Sequence, residues 1–576
     1  MSWEVRTMRS RISFFDATAF RKNVTRFAPA WVLYSVFMLM LMLSFSGGDT
    51  GVQFASSLAD MTHLTGGVGL AYALLNAQLL FGDLYNSRMC NALHAMPISR
   101  QAWFGTHVVS GLAFCVIPNS VFALLFLLLS GPVWQAPLLW LAVSVLQYIF
   151  FFGIAVLSAY CVGNRFAMAL VYGIINFFSM IVYWLVVSLY EPLLYGITVS
   201  DEVFALLCPA AQLIGNDYFG VDYDYTSIGN IVFRQLNLET GWLYLAISTA
   251  VGIGAVVLAL VVYLRRNLES AGDFMAVKRT GPVFLVLYTL CAGACCHGFF
   301  SLFWGEENYG FLVLGLAIGF FTGLMLLSRT VRVFRKKNIL AFLGLMAVFV
   351  LTLVLTVIDP LGITRWVPKA EQVKSVQIST GGGQYRAQSE NGLRDQDEIQ
   401  KILILHDRCV KDRNHAYNGQ ETVRVRLNYT LRGGTTAYRE YILELDEETK
   451  PLLKSILTKP EVVLGSLYTE REKHSIVRAE ISEFGVTFEE NRALEGLMEA
   501  IILDCEAGNM AQDWAFMEDE TFSSWIYLEA RRSDGIYYGQ DIRFDKTCKH
   551  IIAWLEANSE LTLEKMMSGE YGNKFK

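Results

Sequence analysis

Charge is scarce in this chain, and the familiar catalytic signatures are missing from it. Charged residues make up 17% of the 576 and hydrophobic ones 53%, against about 25% charged in an ordinary soluble domain. That balance excludes a soluble globular protein along the whole length. The dipeptide Gly-Lys never occurs, so there is no Walker A loop to cradle nucleotide phosphates. Neither His-Glu-x-x-His nor Gly-x-Ser-x-Gly is present, which removes the corresponding metalloprotease and hydrolase readings. The eight histidines are scattered, and one local group of metal-ligand types stands out: Cys291, Cys295, Cys296 and His297. Cysteine is commonly a small buried residue, so no metal is expected there. No stretch interleaves basic and aromatic residues as a nucleic-acid surface does. The expectation is a chain that is not an enzyme, binds no cofactor of its own and contacts no nucleic acid.

What is present is apolar sequence in long runs, and the mean hydropathy is +0.37. Nine stretches of mainly apolar residues precede Arg365: Ala28–Phe45, Leu64–Gly82, Val108–Leu129, Pro137–Val162, Ala167–Tyr190, Gly241–Leu264, Pro282–Leu302, Tyr309–Leu327 and Ile339–Ile358. Each has roughly the 18 residues needed to cross ~30 Å of hydrocarbon at 1.5 Å per residue. In lipid each must be helical, because a helix satisfies its own backbone polar groups. The loops on one side carry eighteen Lys or Arg, from the arm Arg6–Arg26 to Arg329–Lys337, and those opposite carry Arg234 alone. Such a bias marks the rich side as cytoplasmic. Nine crossings then place the N-terminus in the cytoplasm and the C-terminus outside. Met1–Arg26 mixes Arg with Trp3, Phe14, Phe15 and Phe20, the composition of a helix lying on the inner membrane face.

The organisation expected is an amphipathic arm (1–27), six spans (28–264), a basic loop (265–281), three further spans (282–358) and an extracytoplasmic domain (359–576). Between the fifth and sixth spans, Val203–Ile214 is apolar but too short to cross and reads as a re-entrant or interfacial helix, while Gly220–Asn230 reads as exposed loop. The terminal domain shows a repeat in pattern, over about 373–458 and 474–556. VKSVQIS resembles HSIVRAEIS; Asp397–Cys409 and Ala493–Cys505 are helical in period; Thr422–Leu431 and Ser524–Arg532 alternate as strands do. A second strand and a helix follow each, so the order β-α-β-β-α occurs twice, which predicts an α+β domain of antiparallel sheets faced by helices. Cys409, Cys505 and Cys548 are odd in number and are expected to be buried thiols, with one disulfide among them as the alternative.

The segment Gly82–Leu112 reads GDLYNSRMCNALHAMPISRQAWFGTHVVSGL. It contains Leu93-His94-Ala95-Met96-Pro97-Ile98 and leads through Ser99-Arg100 into a span. This resembles the permease subunits of ABC-2-type transporters, in particular the gram-positive bacterial branch with a Leu-His-x-x-Pro-Ile motif. Tyr263–Gly272 is a second family-like stretch, and the resemblance covers roughly Met1–Lys278. It implies an all-α polytopic membrane bundle in a bacterial cell membrane. It also implies a coupling helix for a separate cytoplasmic ATPase, with ATP and Mg on that partner, and a second permease to complete a dimer. On this reading Asp83, Leu84, Tyr85, Arg88, Met89, Leu93, His94, Met96, Pro97 and Arg100 couple to the ATPase. The plainer reading of the same loop is an interfacial segment whose arginines serve orientation alone.

The resemblance further implies a translocation path along the second and fifth spans, at Tyr72, Asn76, Leu79, Asn176, Phe177, Met180, Tyr183 and Trp184. For any one of these, ordinary helix packing is the competing reading. The function implied is export of an amphiphile: an antimicrobial peptide, a drug or an envelope component. The alternative is a sensor or envelope-maintenance complex in which the outer domain binds a ligand and ATP hydrolysis drives signalling.

Overall fold

The protein is described here from a computed structural model, over residues 14–45, 50–94, 98–199, 202–225, 231–265, 272–304, 309–380, 392–411, 422–464, 474–511, 522–532 and 537–568. It divides into two compact units: Met1–Ser188 with Ser200–Val350, and Leu189–Val199 with Leu351–Lys576.

The first unit is helical. A short helix α1 (Ala17–Arg26) begins where Asp16 Oδ1 accepts the Ala19 amide at 2.8 Å. It is fastened to α5 (Arg100–Leu129) by Asn23 Nδ2 donating to Ser110 Oγ at 3.0 Å. The remaining helices are α2 (Ala28–Phe45), α3 (Gly51–Leu80), α4 (Ser87–His94), α6 (Gln135–Cys161), α7 (Arg165–Leu189), α8 (Glu202–Leu206), α9 (Pro209–Gly215), α10 (Trp242–Arg265), α11 (Gly281–Trp304), α12 (Gly310–Ser328) and α13 (Lys336–Ile358).

Among the described residues eight helices are long and apolar enough to cross a membrane: α2, α5, α6, α7, α10, α11, α12 and α13. The ninth expected span lies in α3, which is 30 residues long but carries His63, Asn76 and Gln78. Much of α3 is buried against other helices, and a surface covered by protein need not be as apolar as one facing lipid. In contrast, no residue of α13 is buried.

The most enclosed span is α6, with 67% of its apolar window buried. It meets α10 backbone to backbone, since a Cβ on Gly153 would lie 2.2 Å from the Gly252 carbonyl oxygen. Small residues allow such close approach between membrane helices.

Two expectations for the loop between α7 and α10 change. The apolar piece at 203–214 forms two short helices, α8 and α9, broken at Cys208-Pro209, with Pro209 opening the second. Gly220–Asn230 is not simply exposed loop: strands β1 (Phe219–Tyr225) and β2 (Ile231–Leu238) pair antiparallel. Val, Tyr, Ile and Phe in these segments suit a half-buried pleated surface, and Val221 and Phe219 are buried. Pairing thus outweighed the local Asp and Gly content. One carbonyl near the end of α9 finds two side-chain donors: Gln147 Nε2 and Tyr218 Oη reach Leu213 O at 2.5 and 2.8 Å. Helix-end carbonyls need such partners when water is excluded.

The second unit is α+β. Strands β3 (Val373–Thr380), β4 (Thr422–Leu431) and β5 (Thr436–Glu444) form one antiparallel sheet in that order. Alternate residues Val425, Leu427 and Tyr429 are buried with Ile399, Ile402 and Leu405 of α14 (Gln396–Lys411) and with Leu453 and Ile456 of α15 (Thr449–Leu457). A short helix α16 (Pro460–Val463) follows. Strands β6 (His474–Ile481), β7 (Val486–Phe488), β8 (Ser523–Arg532) and β9 (Tyr537–Asp545) form a second sheet of order β7-β6-β8-β9. Ile526, Leu528, Ile542 and Phe544 pack there with α17 (Asn491–Glu506) and α18 (Lys549–Asn558). A final helix α19 spans Leu563–Ser568. Strand-helix-hairpin-helix order therefore runs through both halves, with β7 as an addition in the second. All ten cysteines are thiols rather than disulfides, and Cys409, Cys505 and Cys548 are buried.

Candidate functional site

The basic end of the first unit gathers short elements around α4. A 3₁₀ turn, Gly82–Tyr85, closes α3, and Asn86 Oδ1 then accepts the amides of Arg88 and Met89 at 3.0 and 3.4 Å, starting α4. Asn is favoured at such a start because its side chain satisfies amides that have no intrahelical partner. Leu84 and Cys90 are buried and Tyr85 is half-buried with its hydroxyl 3.1 Å from Met168 Sδ. Asn86, Ser87, Arg88 and Met89 are exposed. The turn and helix thus have an anchored side and an open side. Of the residues assigned to an ATPase contact, Leu84 and Tyr85 are used within the chain, whereas Arg88 and Met89 are presented outward. Leu93 and His94 lie in the last turn of α4, and Met96 and Pro97 lie outside the described residues.

The charged members of the set brace neighbouring elements. Asp83 pairs with Arg26 of α1 at 3.4 Å, and the Arg26 guanidinium also sits 5.0 Å from the Phe27 ring centre. A partly exposed pair of this kind contributes about 1 kcal/mol or less, so its role is to orient. Arg165, at the start of α7, lies against Gly82, where a Cβ would come within 2.8 Å of its Nη2. Arg100 stands 6.0 Å above the Tyr263 ring of α10. The segment after α10 joins the same end: Ala276 N donates to Cys161 O at 3.0 Å and Gly272 N to Gly163 O at 2.8 Å. Asp273 then pairs with Arg329 beyond α12 at 2.9 Å. Most of the family-like stretch Tyr263–Gly272 lies outside the described residues.

The residues proposed for a path fall into two settings. Tyr72 stacks on Tyr34 of α2 with ring centres 4.2 Å apart and donates to Phe114 O at 3.2 Å. Asn76 donates to Tyr148 Oη at 2.8 Å, Tyr148 in turn to Gly111 O at 3.0 Å, and Tyr34 to Asn119 Oδ1 at 2.8 Å. Leu79 is half-buried beside the same core. This polar and aromatic cluster locks α2, α3, α5 and α6 together inside one chain.

The α7 residues are separate from it. Asn176 is buried and donates to Tyr172 O at 2.9 Å, while Tyr172 Oη reaches Leu70 O of α3 at 2.9 Å. Phe177 is exposed and Met180 half-buried. The Tyr183 ring centre is 5.4 Å from Phe204 of α8, and the Trp184 ring centre is 5.4 Å from His297 of α11. Helical spacing put these side chains on one stretch of α7 but could not say which side faces a neighbour. Tyr34, Asn119 and Tyr148 were missed, although a polar side chain inside an apolar run is costly in lipid and marks a place worth inspecting.

In the second unit a buried trio stands out. His406 is fully buried, with Nδ1 3.0 Å from Tyr429 Oη and Nε2 2.8 Å from Tyr441 Oη. Burial, and then the Arg439 guanidinium, lower its pKa to about 4. The ring is therefore neutral near pH 7, able to accept from one tyrosine and donate to the other. Among the described residues no three His, Cys, Asp or Glu gather as a metal site. No family model, curated protein or solved structure matches the chain.

Proposed function

We propose that this chain is the membrane-spanning subunit of an ATP-binding cassette transporter that exports an amphiphilic cargo. A separate cytoplasmic ATPase, carrying the ATP and Mg, would drive it. The observation that carries the reading is α4. It is a short helix held to the bundle through Leu84, Tyr85 and Cys90, with Arg88 and Met89 open at the basic end. A partner pushing on such an element moves the ends of α3 and α5 directly, and Asp83–Arg26 passes that motion to α1.

In this reading α3 is the ninth crossing, the basic loops are cytoplasmic and the second unit lies outside. Two permeases, alike or related, complete the transporter. The two halves of the outer unit are copies of one β-α-β-β-α element. Asp446 and Asp545 support that, since each stands at or just past the end of a hairpin and accepts a threonine amide ahead of the next helix or at its start, from Thr449 and Thr547, both at 2.7 Å.

The experiment is purification of the full chain from its native membrane with Arg88→Glu and Met89→Glu, beside Lys374→Glu on the outer unit. Wild type and Lys374→Glu should bring down an ATPase subunit, and the α4 variants should lose it by about tenfold or more, the effect of a contact worth roughly 1.4 kcal/mol. Equal recovery with all four proteins, or no ATPase with any, overturns the proposal. The sensing alternative has one observation in its favour: Leu189–Val199, which directly follows the body of α7, belongs to the second unit.

A further inference from the structure

We propose that the segment Tyr190–Ile197 is a built-in edge of the first sheet of the outer unit, seated on Tyr441, and that this seat covers the open side of β5. In the order β3-β4-β5, β5 is an edge strand, and an unpaired edge exposes backbone groups to unwanted partners. Here the Glu440 amide donates to Gly196 O at 3.1 Å.

Gly196 has φ +76°, and a Cβ there would fall 2.0 Å from Cε1 of Tyr441. Both the backbone conformation and the space beside the ring therefore require glycine. Tyr195 adds a second contact, its ring centre 5.5 Å from that of Tyr441, and it packs on the hydrophobic core of that sheet. Tyr441 is itself fixed from behind, its hydroxyl at His406 and its neighbour Arg439 over Trp366 at 5.5 Å. One residue after α7, Tyr190 Oη meets Thr352 Oγ1 of α13 at 2.7 Å. Tyr190, Tyr195 and Gly196 are thus each held by a contact inside this unit.

Hydrogen exchange of the full chain in nanodiscs tests the seat without any ATPase. Gly196→Ala should speed exchange by about tenfold or more in peptides covering 190–199 and 436–444 and leave 523–545 unchanged, because opening is local to one cooperative piece. Tyr441→Leu should also speed exchange at 190–199. In the double variant the smaller side chain makes room for the new Cβ, so protection of 190–199 should recover above that of Gly196→Ala. Unchanged exchange in the single variants overturns the proposal, as does equal loss in the second sheet with no recovery in the double variant. Docking of an ATPase on α4 can fail while this seat stands, and the reverse.

Discussion

Acidification is a direct probe of His406. In an unfolded chain its imidazole takes up a proton near pH 6.5, whereas in the fold burial, followed by the Arg439 charge, lowers that value to about 4. Between these values only the unfolded state binds the proton, so stability falls as pH falls through this window and levels off below it. At about pH 5 the difference amounts to about 2 kcal/mol relative to about pH 7.5. Asp359, Glu398 and Asp446 titrate lower: burial would raise each, but hydrogen bonds and neighbouring cations outweigh it and their pKa values are depressed. Their contribution is present above the unfolded carboxylate values and is lost as pH falls below them, and it is common to wild type and variant.

The measurement is hydrogen exchange of peptides from β4 and β5 in wild type and His406→Gln, compared at each pH so that the intrinsic rates cancel. On going from about pH 7.5 to about pH 5 the wild type should lose roughly thirtyfold in protection relative to the variant, the equivalent of 2 kcal/mol. A variant with the same pH dependence as wild type refutes the assignment of a neutral, proton-excluding His406.

Three further outcomes concern the membrane region and its orientation. Gly153→Leu drives a side chain into the Gly252 backbone and should cost more than about 2 kcal/mol, read as a lower thermal unfolding midpoint in detergent; an unchanged midpoint rules out the close α6–α10 crossing. Asn76→Leu removes one hydrogen bond together with an amide oxygen that has no partner among the described residues, so the same assay should move by less than about 1 kcal/mol, whereas Asn76→Asp should cost at least about 2.5 kcal/mol. Similar losses for the two would argue against a dry, packed site. A single cysteine placed near Lys574, in a chain stripped of its native ten, should react with a membrane-impermeant thiol probe in intact cells; labelling only after lysis would reverse the orientation read from the basic loops.

Much of this protein was legible along the chain because its determinants are local. A membrane-spanning helix is set by roughly 18–20 consecutive apolar residues, and the eight apolar helices fall where the runs predict, from Ala28–Phe45 to Lys336–Ile358. Strand and helix in the second unit separated by their periods of 2 and 3.6, which is why strand-helix-hairpin-helix order could be read twice before any contact was known. Tertiary structure decided everything that depends on what lies across from a residue. It placed Tyr72 and Asn76 inside a cluster with Tyr34 and Tyr148, divided the α4 region into Leu84 and Tyr85 within and Arg88 and Met89 without, and paired Phe219–Tyr225 with Ile231–Leu238. It also brought Gly196 to Tyr441, 245 positions along the chain, from a stretch that reads as an ordinary connection. Periodicity tells which residues share a face; only packing tells what that face meets, because burial and hydrogen bonding are properties of pairs.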